Sequence, residues 1–265
     1  MKVYISADIE GVAGIGHWDE THKSKGDYPP FREQMQAEVH AACEGALAAG
    51  AAHLRVKDAH ATGRNLDPRA LPRPAELVRG WSGHPLAMVQ ELDRSYDALA
   101  FVGYHDGAGS GANPMAHTMT GRVNEVRVNG APAAEFHLHA MTAASLGVPA
   151  VFVAGDAGLC ARVAMYDPRI ITVPTNIGRG ESVIARHPAA VVEAIRAGVE
   201  AACRGAADLE PVPLPEHFRL EVDYKQPGRA YRASWYPGAR RLTDRVVAFD
   251  TDTWFEVMRA LRFIL

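Results

Sequence analysis

The chain has 265 residues, 48% of them hydrophobic and 22% charged, with a formal net charge of −3. That is enough chain for one large domain, or for two modest ones sharing a cleft. No run of like charge builds the basic stripe that nucleic acid needs. No apolar stretch approaches the length of a membrane span, and the first apolar run is broken by Asp8 and Glu10, unlike an export signal. The expectation is a cytoplasmic protein acting on a small or peptide-sized substrate, with neither nucleic acid nor membrane as partner.

Lys2 to Ala7 alternates β-branched and aromatic residues and reads as a buried strand. The Gly-rich GVAGIG, 11–16, follows, and 26–30 reads as a turn. Phe31 to Ala49 has helical spacing, with Gly50 as its C-cap. His53 to Asp58 is a second strand, 61–74 a loop, Leu86 to Leu92 a short helix, and Ala98 to Gly103 a buried strand. Beyond a small-residue loop at 107–114, Arg122 to Val128 alternates like an exposed strand and meets Asn129-Gly130, a tight-turn signal. Ala133 to Leu146 reads as helix, Pro149 to Ala154 and Ile170 to Pro174 as strands, and Ala189 to Cys203 as helix. The Pro-rich segment 211–215 reads as a linker, followed by a strand at 218–222 and a closing helix at 253–263.

Strands alternating with helices predict an α/β fold: a mainly parallel sheet flanked by helices, with a second, smaller α/β region completing the cleft. The segments are 1–106, 107–210 and 211–265. Ligands in such folds sit beyond the carboxyl ends of the strands, and three of these ends carry metal-capable side chains. They are Asp8 and Glu10, then Asp58 and His60, then His105 and Asp106. Carboxylates and imidazoles brought into one cleft are the usual ligands of zinc, and a carboxylate can bridge two ions.

Glu135 and His139, four apart, share a helix face, while His137 points elsewhere. A buried Glu135 in this apolar helix requires a partner, and a cation serves. His117, flanked by Met115 and Met119, is a candidate for proton transfer. The other histidines, His17 and His22 among them, show no supporting pattern. Cys43, Cys160 and Cys203 are scattered and read as buried apolar residues, not as a disulfide framework. The order G-x-x-G-x-G at 11–16 is not the dinucleotide fingerprint, and no G-x-S-x-G elbow is present. Two rival readings are a peptide-binding module serving a transporter, and a metallohydrolase of another amide or of a phosphoester.

These motifs resemble the D-aminopeptidases of peptidase family M55. The resemblance is carried by SADIEG at 6–11, KDAH ending at His60, GYHD containing His105, MAHTM containing His117, AAE ending at Glu135, and PAVFVAGD ending at Asp156. It runs along most of the chain and loosens in the C-terminal third. It implies two zinc ions per subunit, with Asp8 bridging them, Glu10 and His60 completing one, and His105 and Glu135 completing the other. It further implies His117 as the catalytic residue, sometimes described as a nucleophile, short peptides with an N-terminal D-residue of D-Ala type as substrates, and a homodecamer enclosing a chamber; two-metal chemistry favours a metal-activated water over the imidazole as nucleophile. His139 stands where a better-known member of the family is expected to have Asn, and the loop between Gly14 and Tyr28 differs in sequence.

Overall fold

A computed structural model describes all 265 residues. Strands β1 (Lys2–Ala7), β2 (His53–Asp58), β3 (Ala75–Val78) and β4 (Ala98–Tyr104) form one parallel sheet with later strands. A short hairpin, β5 (Val123–Val128) and β6 (Ala131–Pro132), belongs to a second sheet, while β7 (Ala150–Gly155) and β8 (Ile171–Pro174) return to the first. The first sheet has six strands in the order β3-β2-β1-β4-β7-β8. β9 (Asn176–Arg179) and β10 (Ser182–Ala185) make a separate hairpin. The second sheet is antiparallel and completed by β11 (Phe218–Tyr224), β12 (Ala239–Arg241) and β13 (Val246–Thr251). Sheet membership thus crosses the segment boundaries at 106 and 210: β7 and β8 join the N-terminal strands, and β11 pairs with β5.

The period of two in β1 explains how the first sheet is covered. Val3, Ile5 and Ala7 face one core, packed by helices α1 (Tyr28–Ala48) and α4 (Pro188–Arg204), as Val39, Cys43, Ile195 and Val199 show. Tyr4 faces the opposite core with Phe101, Tyr104 and Phe136, under α2 (Glu135–Ser145) and α3 (Ala157–Tyr166). Each fully buried large apolar side chain contributes about 1.5–3 kcal/mol. A third core joins the second sheet to α6 (Trp254–Ile264) and α5 (Pro227–Ala233).

Helix α1 begins at Tyr28, inside the expected turn, because Pro29 and Pro30 occupy its first turn, where no intrahelical N–H is required. Asn129 and Gly130 both have positive φ, +50° and +80°, as a two-residue hairpin turn demands. The expected helix at 86–92 is a single 3-10 turn at Ala87–Val89. Helix α3, the β9–β10 hairpin, β3 and the elements α5, β12 and β13 were not read from the sequence. No helix is long and apolar enough to cross a membrane.

Candidate metal centre

The site forms where β1, β2 and β4 end. Parallel pairing aligns Ala7 with both Asp58 and Val102, so the residues just past each strand converge. Asp8 N–H donates to Val102 O and Gly11 N–H to Gly103 O, both at 2.9 Å. This close crossing explains two glycines: a Cβ on Gly11 would fall 1.8 Å from Tyr104 O, and one on Gly103 2.2 Å from Asp8 O. Glu135 enters from the first turn of α2, and its Oε1 accepts from Met119 N–H at 2.6 Å.

Asp8, Glu10, His60, His105 and Glu135 are all buried, and His117 is partly exposed. His60 Nδ1 lies 3.2 Å from Asp8 Oδ1 and 3.0 Å from Glu10 Oε2. His105 Nε2 is 3.5 Å from both Asp8 Oδ2 and Glu135 Oε2, and His117 Nε2 is 3.6 Å from Glu135 Oε1. Two triplets, Asp8-Glu10-His105 and His105-His117-Glu135, each bring their donor atoms within 4.8 Å of one another.

Each imidazole is oriented by a backbone carbonyl on its other nitrogen. His60 Nε2–H donates to Thr21 O at 3.0 Å, His105 Nδ1–H to Asp106 O and His117 Nδ1–H to Met115 O, both at 2.9 Å. The opposite nitrogens then carry lone pairs aimed at carboxylates, which is the arrangement of metal-ligating histidines. Glu10 Oε2 and His105 Nε2 are buried without a hydrogen bond. Lone pairs facing carboxylates lack a shared proton or cation, and a divalent ion supplies one, so these residues fit zinc.

The electrostatics express the same crowding. Burial and the neighbouring Glu10 push the Asp8 carboxyl well up. Burial lowers His60 and His105, but the facing carboxylates outweigh it and push both imidazoles well up, so each binds a proton where no cation stands. Burial raises Glu10, but the protonated His60 outweighs it and holds Glu10 well below the carboxylate range. Glu135 is drawn down to about 2, because His105 and His117 overcome its burial.

Asp58 and Asp106 end the same strands but turn away. Asp58 accepts from Leu66 N–H and Asn65 Nδ2, fastening the loop after β2, and Asp106 binds Arg162 and Ser110. His139 is neither a ligand nor a cleft residue. Fully buried and held down to about 4, it stays neutral, donates from Nδ1 to Glu135 O at 2.7 Å and accepts from Met88 N–H at 3.3 Å. His137 accepts from Ala134 N–H and caps α2. The three cysteines are unpaired and buried, and burial pushes the Cys43 and Cys160 thiols up to about 12.

The carboxylates and His60 floor a cleft of about 230 Å³, whose walls include Trp18, Trp81, Met88 and Met119. Met119 was named from the sequence beside His117, but Trp18, Trp81, Met88, Thr21 and His22 were missed by strand-end reasoning because loops and short 3-10 turns deliver them. A hollow of about 300 Å³ shares Met119 with the cleft but is lined by no acidic or imidazole side chain.

Buried carboxylates and backbone-oriented imidazoles at the carboxyl edge of a parallel sheet are the arrangement of a metal-dependent hydrolase. The profile of the peptidase M55 family, described as D-aminopeptidase, matches residues 1–263, and the chain belongs to this family. It is thus a peptidase. A D-aminopeptidase of Bacillus subtilis (strain 168) is 28% identical over 264 residues, spanning 98% of this chain and 95% of that protein. The solved structure of a Zn-dependent D-aminopeptidase, DppA from Bacillus subtilis, described as a self-compartmentalizing protease, aligns with a TM-score of 0.94 at 26% identity. The alignment covers 100% of this chain and 96% of that one.

Proposed function

We propose that the protein is a zinc-dependent aminopeptidase that removes the N-terminal residue, of D configuration, from short peptides in the cytoplasm. The observation that carries the reading is the set of three imidazoles, each tied to a carbonyl by one nitrogen and turned on buried carboxylates by the other. Asp8 lies between the two groups of donors and would bridge two ions, with Glu10 and His60 holding one and His105 and Glu135 the other. Bound zinc supplies Lewis acidity to the scissile carbonyl and acidifies a water.

The remaining work falls to the chain. Asp8, Glu10 and Glu135 would be taken up as ligands, so the peptide's free amino group would be received as the neutral amine by one bound ion, which favours cleavage at the amino end. His117 keeps its Nδ1–H on Met115 O, so its Nε2 takes up a proton at the cleft and delivers it to the leaving amine. Met119 N–H holds Glu135 in place. By analogy with the self-compartmentalizing relative, the subunits would assemble, as a homodecamer, around a chamber.

The test is turnover of D- and L-alanyl amides and dipeptides with parallel metal analysis, before and after chelation, and light scattering for the assembly. Zinc-dependent cleavage of D-alanyl substrates is expected. No bound metal, or full activity after chelation, would overturn the reading.

A further inference from the structure

The cleft has a chemical contrast: a floor of carboxylates and imidazoles, and walls that include two half-exposed tryptophans, Trp18 at 38% and Trp81 at 37%. Both rings are built off the flanks of His60. The turn carrying Trp18 (18–20) is closed by Glu20 Oε2, which accepts from the backbone N–H groups of Gly16 and His17, and by Thr21 Oγ1 donating to Trp18 O. The carbonyl of Thr21 receives His60 Nε2–H, so this turn and the His60 ring are one assembly. Trp18 also leans on the His117 ring, with centroids 5.3 Å apart.

Trp81 is pinned from the other side. Its indole N–H donates to Ala61 O at 2.8 Å, one residue past His60. The Lys57 ammonium, on the strand leading to His60, sits 4.0 Å from the ring centroid and donates to Gly80 O. Lys57 is fully buried, so the stack is locked from beneath. A tryptophan fixed by its N–H and by a cation has little rotamer freedom left to lose, which makes its remaining surface a ready-made apolar wall. The Lys57 ammonium already satisfies the ring's negative face, so the wall favours an uncharged partner over a second cation.

We propose, resting on the aminopeptidase reading above, that Trp18 and Trp81 are specificity-determining residues that select substrates with a bulky apolar side chain, aromatic or branched, beside the scissile amide. Neither ring touches the reacting atoms. They act by burying the side chain while the metal floor receives the amino group and the scissile amide. A pocket that gains such a contact discriminates by roughly 10–200-fold.

The experiment compares kcat/KM for D-phenylalaninamide and D-alaninamide in the zinc-loaded enzyme and in Trp81→Ala, Trp81→Phe and Trp18→Ala. Calorimetric binding of D-phenylalaninol and D-alaninol runs in parallel. The expected result is a preference of about tenfold or more for the phenylalanyl amide, carried in KM. It should collapse towards unity in Trp81→Ala and be largely restored in Trp81→Phe. Equal kcat/KM for the two amides in the parent, or a preference unchanged in both alanine variants, overturns the proposal and leaves the aminopeptidase reading standing. If no amide is cleaved, that reading fails and calorimetry decides. Tighter phenylalaninol binding that disappears in Trp81→Ala supports the tryptophan walls, and equal binding of the two alcohols overturns them.

Discussion

Asn113 holds Glu10: its side-chain amide donates to the Glu10 backbone oxygen at 3.0 Å, and the same NH2 group reaches Asp156 Oδ2 at 3.2 Å. Its own Oδ1 accepts from Met115 N–H at 2.8 Å, and Met115 O in turn orients His117. One buried amide therefore ties the Glu10 backbone, just past β1, to the loop that orients the His117 imidazole. Asp156 connects this group to Asp106 N–H, next to His105.

Asn113→Ala strands those partners. Leaving buried groups unpaired costs about 1–3 kcal/mol of stability, and the misplacement of Glu10 and His117 lowers kcat/KM by about tenfold or more. Denaturant titration and steady-state kinetics on the zinc-loaded variant check both. Unchanged kcat/KM alongside reduced stability would show that the two side chains are placed without Asn113.

Removing metal leaves three buried carboxylates, Asp8, Glu10 and Glu135, facing one another and three imidazoles. Chelation is therefore expected to lower the melting midpoint as well as abolish turnover, and added zinc to restore both. An ion present at a hundred times its dissociation constant adds about 2.7 kcal/mol. Asp8→Asn, which weakens the donor between the two groups, should reduce zinc content further than Glu10→Gln does. Metal content measured on the purified variants decides, and a full complement in Asp8→Asn would remove Asp8 from the bridging role.

His117 stands apart from the ligands in its exposure, and its Nε2 faces the cleft. His117→Ala is expected to keep its zinc and fold while kcat falls by about 10²–10⁴-fold, the range of a lost general acid. Near-parental turnover in the folded, fully metallated variant would sink the catalytic role.

His139 offers the opposite outcome. It links Glu135 O to Met88 N–H and reaches no ligand atom. His139→Ala should cost about 1–3 kcal/mol of stability by leaving Met88 N–H unpaired in the core, with zinc content unchanged. A loss of zinc at full stability would make it a ligand after all.

The strand ends made the floor of the site legible in the sequence. Hydrophobic runs in β1, β2 and β4 stop at polar residues, and parallel pairing forces those stops together. The same logic nominated Asp58 and Asp106, and could not tell that short-range hydrogen bonds to Asn65, Leu66, Ser110 and Arg162 claim them. His139 shares a helix face with Glu135, yet spacing says nothing of the backbone N–H it meets across the core. Trp18 and Trp81 arrive on loops whose paths are set by Glu20, Lys57 and Ala61, contacts without any periodic signature. The second sheet was read only in part because β12 is a three-residue strand joined to its neighbour β13 by a turn without a signal as clear as Asn129-Gly130, while the other partner of β13 is the more distant β11.

Glu38 gives a pH-dependent prediction away from the metal ligands. It lies fully buried in α1, where its Oε1 accepts from Ala13 N–H and Gln34 Nε2 at 2.8 Å each, while Oε2 has no partner. Burial raises its carboxyl from 4.5 to about 7, against the pull of those two hydrogen bonds. Between about pH 4.5 and 7 the folded chain holds a proton there that the unfolded chain has released. The Glu38 contribution to stability is therefore fully present below the lower value and is lost as pH rises through the upper one, by about 3 kcal/mol in total. Glu38→Gln keeps an acceptor for Ala13 N–H and never ionises. Its stability relative to the parent should rise between about pH 4.5 and 7 and level off above, measured by denaturant titration at each pH. A difference that stays flat across that range would show that Glu38 is ionised in the folded chain throughout, with its carboxylate stabilised by the backbone of the loop after β1.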